Sequence, residues 1–253
     1  MNKLMAANWK MYKTYDEAKE TAKALVKLLD GKLPADREVL VFPPFTALRG
    51  VAKKFKDEKG LFVGGQDFWP AREGAFTGEI SPAMLSDLGA TFALTGHSER
   101  RHVLGESDEL VGRKTAFGLD AGLNVVLCVG EKIEERKAGK LEAVLERQTV
   151  AGLAGVPKDL APARLAVAYE PVWAIGTGEV AGPKDILEAH AFVRRLLGRI
   201  FGGNAKEIRI LYGGSVKPEN AAEIIGLDNV DGVLVGGASL KAESFASIVL
   251  AGA

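Results

Sequence analysis

Eight short apolar runs, separated by helix-like stretches along the whole chain, constrain the fold more than any other feature of the sequence. They are bounded by Gly, Pro or Asp, and most are too apolar for a sheet with one face in water. Parallel strands covered by helices have this character. The runs are residues 4–9, 39–42, 61–63, 91–94, 124–129, 165–169, 208–211 and 230–235. The pattern predicts an α/β protein with a parallel sheet.

The segments between the runs carry the start signals of helices. Thr14 followed by Glu17 fits a capping box, in which each residue satisfies a backbone N–H of the first turn. Ser81-Pro82 fits an N-cap followed by proline in the first turn, and Pro183 predicts a later helix start in the same way. Residues 131–153 are charged and apolar without an obvious break, so we expect one long helix there.

Strand and helix units of this number fit a closed barrel. The 253 residues leave about 32 for each of eight units, enough for a right-handed βαβ crossover. Because no linker or low-complexity segment divides the chain, we expect residues 1–253 to form one catalytic domain, a single (β/α)8 TIM barrel with parallel strands. A doubly wound open sheet is the alternative. A Gly-x-Gly-x-x-Gly fingerprint after the first strand would favour it, but that strand leads into Asn8-Trp9-Lys10.

Composition excludes several classes of partner. The chain has 33 basic and 33 acidic residues, so no net charge attracts it to nucleic acid or to an acidic membrane. No apolar stretch approaches the roughly 18 residues of a membrane-spanning helix, and residues 1–13 do not resemble a signal peptide. The single cysteine, Cys128, cannot form an internal disulfide. We therefore expect a cytoplasmic protein with no nucleic-acid or membrane partner.

Two glycine pairs indicate the kind of ligand. In TIM barrels the functional side chains follow the C-terminal ends of the strands. Gly213-Gly214 and Gly236-Gly237 follow the last two strands, and each pair precedes a helical segment. Exposed N–H groups in such turns bind anions, which favours a phosphate. The alternative is that these glycines serve tight turns only.

Three side chains at other strand ends suggest acid–base chemistry. Glu170 ends the sixth strand before a proline, and the apolar, glycine-containing segment after it is typical of a lid that expels water, so we expect the covered carboxylate to be a stronger base. His97 lies where a helix start disfavours a second proton, and Lys10 can offset developing negative charge. The alternatives are that Glu170 is a solvated residue without a chemical role, that His97 is structural and that Lys10 is a solvated surface residue.

The remaining histidines and the cysteine indicate no further chemistry. His102 and His190 are expected to be structural, and Cys128 to be a packing residue within an apolar strand. The sequence has no metal-ligand spacing such as HExxH or CxxC, and it has no Walker loop or Gly-x-Ser-x-Gly elbow. We therefore expect no metal, and NTP hydrolysis and serine acyl transfer are disfavoured.

The motifs at these strand ends closely resemble those of the triosephosphate isomerase family, in the same order and almost from end to end. They are Ala7-Asn8-Trp9-Lys10, Gly96-His97-Ser98-Glu99-Arg100-Arg101, Ala168-Tyr169-Glu170-Pro171-Val172-Trp173-Ala174-Ile175-Gly176-Thr177-Gly178, Tyr212-Gly213-Gly214-Ser215-Val216 and Val235-Gly236-Gly237-Ala238. The resemblance implies cofactor-free interconversion of dihydroxyacetone phosphate and D-glyceraldehyde 3-phosphate through an enediolate, in glycolysis and gluconeogenesis.

The resemblance also implies a role for each site residue. Glu170 would carry a proton between two adjacent carbons while neutral His97 polarises the carbonyl, and Lys10 and Asn8 would stabilise the enediolate and its phosphate. The phosphate would be held by Gly176, Ser215, Gly236 and Gly237. The lid would comprise Pro171, Val172, Trp173, Ala174, Ile175, Gly176, Thr177 and Gly178, latched by Tyr212 and Ser215.

A homodimer is a further implication of the resemblance. The loop of residues 67–80 would insert into the partner subunit, and Thr77 would approach residues 8–10 there. Two positions depart from the family pattern, because Glu179 stands where Lys is usual and Gly182 where Ser or Thr is usual. Both departures bear on lid motion and neither touches the chemical residues.

Three alternatives remain on the same barrel. An aldolase with a Schiff-base lysine is disfavoured because residues 165–169 contain no lysine. A barrel kept only for binding predicts the loss of Lys10, His97 or Glu170, and all three are present. An isomerase for a larger phosphosugar stays open.

Overall fold

The computed structural model of the chain describes residues 1–175 and 181–252. Within these ranges, eight parallel strands pair in chain order, and β1 pairs with both β2 and β8, which closes the barrel. The strands are β1 (Lys3–Asn8), β2 (Arg37–Phe42), β3 (Leu61–Gly65), β4 (Phe92–Thr95), β5 (Asn124–Val129), β6 (Leu165–Tyr169), β7 (Arg209–Tyr212) and β8 (Gly232–Val235). The predicted (β/α)8 TIM barrel is confirmed, and the open doubly wound sheet was the wrong alternative.

Helices cover the outside of this barrel. They are α1 (Tyr15–Leu29), α2 (Phe45–Phe55), α3 (Pro82–Asp87), α4 (Ser98–His102), α5 (Asp108–Asp120), α6 (Ile133–Lys137), α7 (Leu141–Gly152), α8 (Pro183–Phe201), α9 (Pro218–Ile225) and α10 (Ala242–Leu250). In the described part of the chain, no helix is both long and apolar enough to cross a membrane.

Alternation along the strands divides the core into two layers. Successive side chains of a strand point to opposite faces, so Leu4 and Ala6 lie inside the barrel while Met5 and Ala7 pack against the helices. All four are fully buried. This double burial explains why the strands are apolar throughout, and it leaves polar side chains at the C-terminal rim.

The start signals of the helices are confirmed. The Thr14 N–H donates a 2.7 Å hydrogen bond to the carboxylate of Glu17, and α1 begins at the next residue after Thr14. The Ser81 hydroxyl accepts a 3.3 Å bond from the N–H of Met84, with Pro82 as the first residue of α3. Pro183 likewise begins α8.

The expectation of one helix over residues 131–153 is wrong. Two helices, α6 and α7, occupy this stretch, and Gly139 between them has a φ of +67°. A glycine in this left-handed conformation ends a helix, because other residues adopt it at a steric cost. Glu131 precedes α6 and is completely buried, where it accepts hydrogen bonds from Tyr169 and Trp173.

Candidate active site

A cleft of about 340 Å³ opens at the C-terminal ends of the strands. It is lined by residues that follow five different strands, which the barrel brings together although they are far apart in sequence. The predicted site residues among them are Asn8, Lys10, His97, Glu170, Ile175, Ser215, Gly236 and Gly237. Gly176, Thr177 and Gly178 of the predicted lid, together with Glu179, lie outside the described residues.

Glu170 and His97 are in direct contact within this cleft. Oε1 of Glu170 lies 3.0 Å from Nε2 of His97, and Oε2 accepts a 2.9 Å hydrogen bond from the Ser98 N–H. The contact joins the residue after β6 to the turn after β4. Both side chains are almost fully buried, with 3% and 6% of their surfaces exposed. A carboxylate and an imidazole are thus held together away from bulk water.

The hydrogen bonds of His97 assign its tautomer. His97 is the N-cap of α4, and its Nδ1 accepts a 3.3 Å bond from the N–H of Glu99. An accepting nitrogen carries no proton, so the proton of the neutral ring is on Nε2, where it can be donated to Glu170. The sequence predicts a neutral ring that can donate a hydrogen bond, and in this arrangement Nε2 is the nitrogen placed to do so.

The pKa of Glu170 is set by opposing effects. Burial alone raises the pKa, but His97, the Ser98 N–H and the charge of Lys10 outweigh burial and bring it below its ordinary value. In the arrangement observed, the carboxylate is satisfied by these donors rather than facing an apolar surface. The expectation that covering by the lid makes it a stronger base stays a prediction.

Lys10 enters the cleft from a strained backbone. Its φ is +49°, in the left-handed region that residues other than glycine seldom adopt. Two side chains hold this conformation: Oδ1 of Asn8 accepts a 2.9 Å bond from the Lys10 N–H, and Nε2 of Gln66 donates a 2.8 Å bond to the Lys10 carbonyl. The ammonium lies 2.6 Å from Oε1 of Glu99, a half-exposed carboxylate. Asn8 therefore supports Lys10.

The two glycine pairs differ in how closely the surrounding protein packs against them. A Cβ at Gly213 would lie 2.9 Å from Cγ of Glu170, and one at Gly214 would lie 2.2 Å from the Tyr212 hydroxyl. Close packing therefore explains the first pair without a ligand. A Cβ at Gly236 would come within 3.3 Å of Cε of Lys10, whereas one at Gly237 would meet no atom of residues 1–175 or 181–252 within 4 Å, apart from its chain neighbours. Packing among the described residues therefore does not require a glycine at residue 237.

The described flank of the predicted lid is anchored on two sides. A 3₁₀ turn, Val172–Ala174, follows Pro171. The indole N–H of Trp173 donates a 2.9 Å bond to Glu131, and the Ser215 hydroxyl donates a 2.8 Å bond to the carbonyl of Ala174. Ser215 therefore reaches the segment that it was expected to latch.

Other residues considered in the sequence do not line the cleft. His190 is fully buried against the rings of Tyr169 and Tyr212, and its Nδ1 lies 2.8 Å from the carbonyl oxygen of Asn229. Cys128 is buried within β5, as expected of a packing residue, and its thiol lies within hydrogen-bonding reach of the Glu170 carboxylate. Thr77 is exposed on its loop. Across residues 1–175 and 181–252, no group of three or more His, Cys, Asp or Glu side chains is arranged to hold a metal.

Two residues near the site received no role from the sequence. Glu99 pairs with Lys10, and Arg101 is buried behind the turn that carries His97. Both follow the same strand end as His97, and that position is the signal that could have identified them. Their contacts depend on how close the ends of different strands lie in space, and the spacing of residues along the sequence does not show this.

Comparison with known proteins agrees with this geometry. The chain matches the family model described as "Triosephosphate isomerase" over residues 3–252. A triosephosphate isomerase of Nitratidesulfovibrio vulgaris (strain Miyazaki F) is 67% identical over 251 residues, covering 99% of this chain and 100% of the relative. That of Oleidesulfovibrio alaskensis is 63% identical with the same coverage, and that of Aquifex aeolicus is 47% identical over 98% of this chain and 99% of its own length. The chain therefore belongs to the triosephosphate isomerase family, a family of isomerases.

Proposed function

We propose that the protein interconverts dihydroxyacetone phosphate and D-glyceraldehyde 3-phosphate by cofactor-free proton transfer. The observation that carries this proposal is the 3.0 Å approach of Glu170 to His97 in the cleft at the strand ends. A base and a neutral hydrogen-bond donor at this separation can act on a carbon and on the neighbouring oxygen of one small substrate.

Glu170 is the proton carrier of this reaction. Its carboxylate takes a proton from one carbon of the substrate and returns it to the adjacent carbon. To do so it leaves His97 and Ser98, which satisfy it in the structure described. Because those donors lower its pKa while burial raises it, separation from them strengthens the base.

His97 and Lys10 stabilise the charge that develops on oxygen. The Nε2–H of His97 donates to the carbonyl oxygen and passes protons between the two oxygens of the enediolate. The ammonium of Lys10 adds a positive charge at the same end of the cleft, with its backbone held by Asn8. Preorganised donors of this kind stabilise a transition state without having to rearrange during the reaction.

The phosphate binds at Gly236, Gly237 and Ser215, on the β7 and β8 side of the cleft, with Gly176 contributed by the lid. The open space beside Gly237 supports this placement, because a ligand can approach the backbone there. The lid, residues 171–178, closes over the bound substrate and keeps water from the enediolate, which could otherwise eliminate its phosphate.

We further propose that residues 1–253 form one catalytic domain that acts as a homodimer in the cytoplasm, in glycolysis and gluconeogenesis. The dimer is supported by large apolar side chains left in water: Met11 is 94% exposed after β1, and Phe76 is 43% exposed beside Thr77. Exposed apolar side chains that together form one patch are commonly covered by a partner. Sedimentation that shows a fully active monomer would remove the dimer from the proposal.

A coupled assay tests the reaction itself. The purified protein is given D-glyceraldehyde 3-phosphate, and the formation of dihydroxyacetone phosphate is followed through a linked dehydrogenase. The proposal predicts rapid turnover without added metal or cofactor, and much slower turnover of a five- or six-carbon aldose phosphate. Faster turnover of the larger sugar would favour the open alternative, and covalent trapping by borohydride would favour an aldolase.

A further inference from the structure

Arg101 is a buried arginine with three partners behind the active site. Its Nε donates a 2.7 Å bond to the carbonyl of Gly96, and Nη2 donates a 3.1 Å bond to the carbonyl of Cys128. Nη1 is paired with the carboxylate of Asp108. A guanidinium keeps its charge under physiological conditions and holds its donors in a rigid plane, so these partners are fixed relative to one another.

The bond to Gly96 acts on the turn that carries His97. Gly96 directly precedes His97 and has a φ of +66°. A Cβ at this glycine would lie 2.6 Å from Nη2 of Arg101, so the turn and the guanidinium are in close contact. The carbonyl that Arg101 holds belongs to the peptide unit joined to the His97 nitrogen. The direction of the His97 ring therefore depends on this bond.

The bond to Cys128 acts on the strand that holds Glu170. Cys128 lies in β5, and the carbonyl of the next residue, Val129, accepts a 2.7 Å bond from the Glu170 N–H. Gly130 then packs so closely that a Cβ there would overlap the Glu170 carbonyl. Arg101 thus connects the backbone before His97 to the strand that supports Glu170, although it does not line the cleft.

We propose that Arg101 is a positioning residue for the isomerase reaction, which sets the placement of His97 relative to Glu170 through the carbonyls of Gly96 and Cys128. The proposal rests on the proposed function, because it assumes that the His97–Glu170 pair carries the chemistry. Phosphate binding uses the β7 and β8 side of the cleft and is independent of these carbonyls. Loss of Arg101 should therefore act on turnover rather than on substrate affinity.

Arg37 provides a matched control at the opposite end of the barrel. It is buried at the start of β2 and donates to the carbonyls of Val249 and Ala251. Arg37→Met and Arg101→Met each remove a buried arginine that bridges two backbone carbonyls. Only Arg101 is connected to the active site, so the pair separates positioning from general stability.

Steady-state kinetics give the first readout. For Arg101→Met we expect kcat to fall at least about 30-fold with KM within about threefold, because small misplacement of reacting groups is costly. Arg101→Lys keeps the positive charge but loses the planar guanidinium that bonds both carbonyls at once. Its kcat should therefore fall by about fivefold to tenfold, a loss smaller than that of Arg101→Met. Arg37→Met should keep kcat within about twofold while it is folded.

The ¹⁵N and ¹H resonances of the His97 ring give a second readout that does not depend on activity. They should shift in both Arg101 variants and not in Arg37→Met, and Arg101→Lys supplies both readouts if Arg101→Met does not fold. Any one of three results would overturn the proposal. They are a wild-type kcat in the folded Arg101 variants, a loss of kcat in Arg37→Met equal to that in Arg101→Met, and unchanged His97 resonances in the Arg101 variants. A wild-type protein without isomerase activity would instead overturn the proposed function.

Discussion

The Nε2 atom of His97 lies 3.0 Å from Oε1 of Glu170, so the proposed acid–base partners satisfy each other in the structure described. The Ser98 N–H donates a hydrogen bond to the second carboxylate oxygen of Glu170. A bound substrate has to replace both interactions before Glu170 can remove a proton from carbon. Substrate binding and the rise in the pKa of Glu170 are therefore coupled, because the donors that lower that pKa are the ones displaced.

Replacement of Gly237 by Ala should weaken substrate binding without affecting the fold. The added Cβ meets no atom of the described residues within 4 Å, so we expect a melting temperature within about 2 °C of the wild type. If a phosphate approaches this backbone, the methyl group occupies its place. KM for D-glyceraldehyde 3-phosphate should then rise by about tenfold or more, which corresponds to roughly 1.4 kcal/mol.

Gly203 supplies the control for this substitution. In the described part of the chain, a Cβ there also meets no atom within 4 Å, and Gly203 is exposed away from the cleft. Gly203→Ala should leave KM unchanged. An unchanged KM in Gly237→Ala as well would place the phosphate elsewhere.

Lys10 allows its backbone strain to be separated from its charge. Lys10→Gly and Lys10→Ala both remove the ammonium, so kcat/KM should fall by about 100-fold or more in each. Only glycine adopts the φ of +49° without steric cost, so Lys10→Gly should be more stable than Lys10→Ala by about 1 kcal/mol. Urea unfolding of the two variants measures the difference. Equal stability, or a more stable alanine variant, would show that the left-handed conformation stores no strain.

Buried His190 should make the protein less stable in mild acid. Burial lowers the pKa of His190 to about 4 from its ordinary 6.5, so the unfolded chain binds the proton more readily. This contribution to the free energy of unfolding is complete above pH 6.5 and is lost as the pH falls toward 4, by up to about 3 kcal/mol. Denaturant unfolding at pH 7 and pH 4.5 measures it.

Two variants isolate the effect of His190. His190→Gln cannot be protonated in this range, so its stability should change less between the two pH values than that of the wild type. His102→Gln is measured for comparison, because burial also lowers the pKa of His102 although the residue is largely exposed on α4, so its removal should flatten the pH dependence less than removal of His190. An identical pH dependence in the wild type and in His190→Gln would show that His190 does not contribute.

The strand ends of this protein could be predicted because their causes are local. Strands that are buried on both faces must be apolar throughout, so the points at which Glu170 and His97 follow them are visible in the sequence. The same reasoning failed for residues 131–153, because a glycine can lie within a helix or end one, and the sequence does not show that Gly139 takes a φ of +67°.

The hydrogen bonds that lower the pKa of Glu170 could not be predicted, because they depend on the distance between two loops. Sequence shows a carboxylate before a proline, but it does not show that the ends of β4 and β6 bring His97 and Ser98 within hydrogen-bonding distance. The partners of Arg101 were missed for the same reason, since two of them are backbone carbonyls, which have no signature in sequence.

The central claim, that Glu170 moves the proton, is tested most directly by Glu170→Asp. The shorter side chain keeps the carboxylate and moves it away from the carbon, so kcat should fall by about 100-fold or more. Inhibition by inorganic phosphate should stay within about threefold of the wild type, and Glu223→Asp, at an exposed position of α9, should have wild-type kcat. Near-wild-type turnover in Glu170→Asp, measured in the same coupled assay, would contradict the assignment of Glu170 as the base.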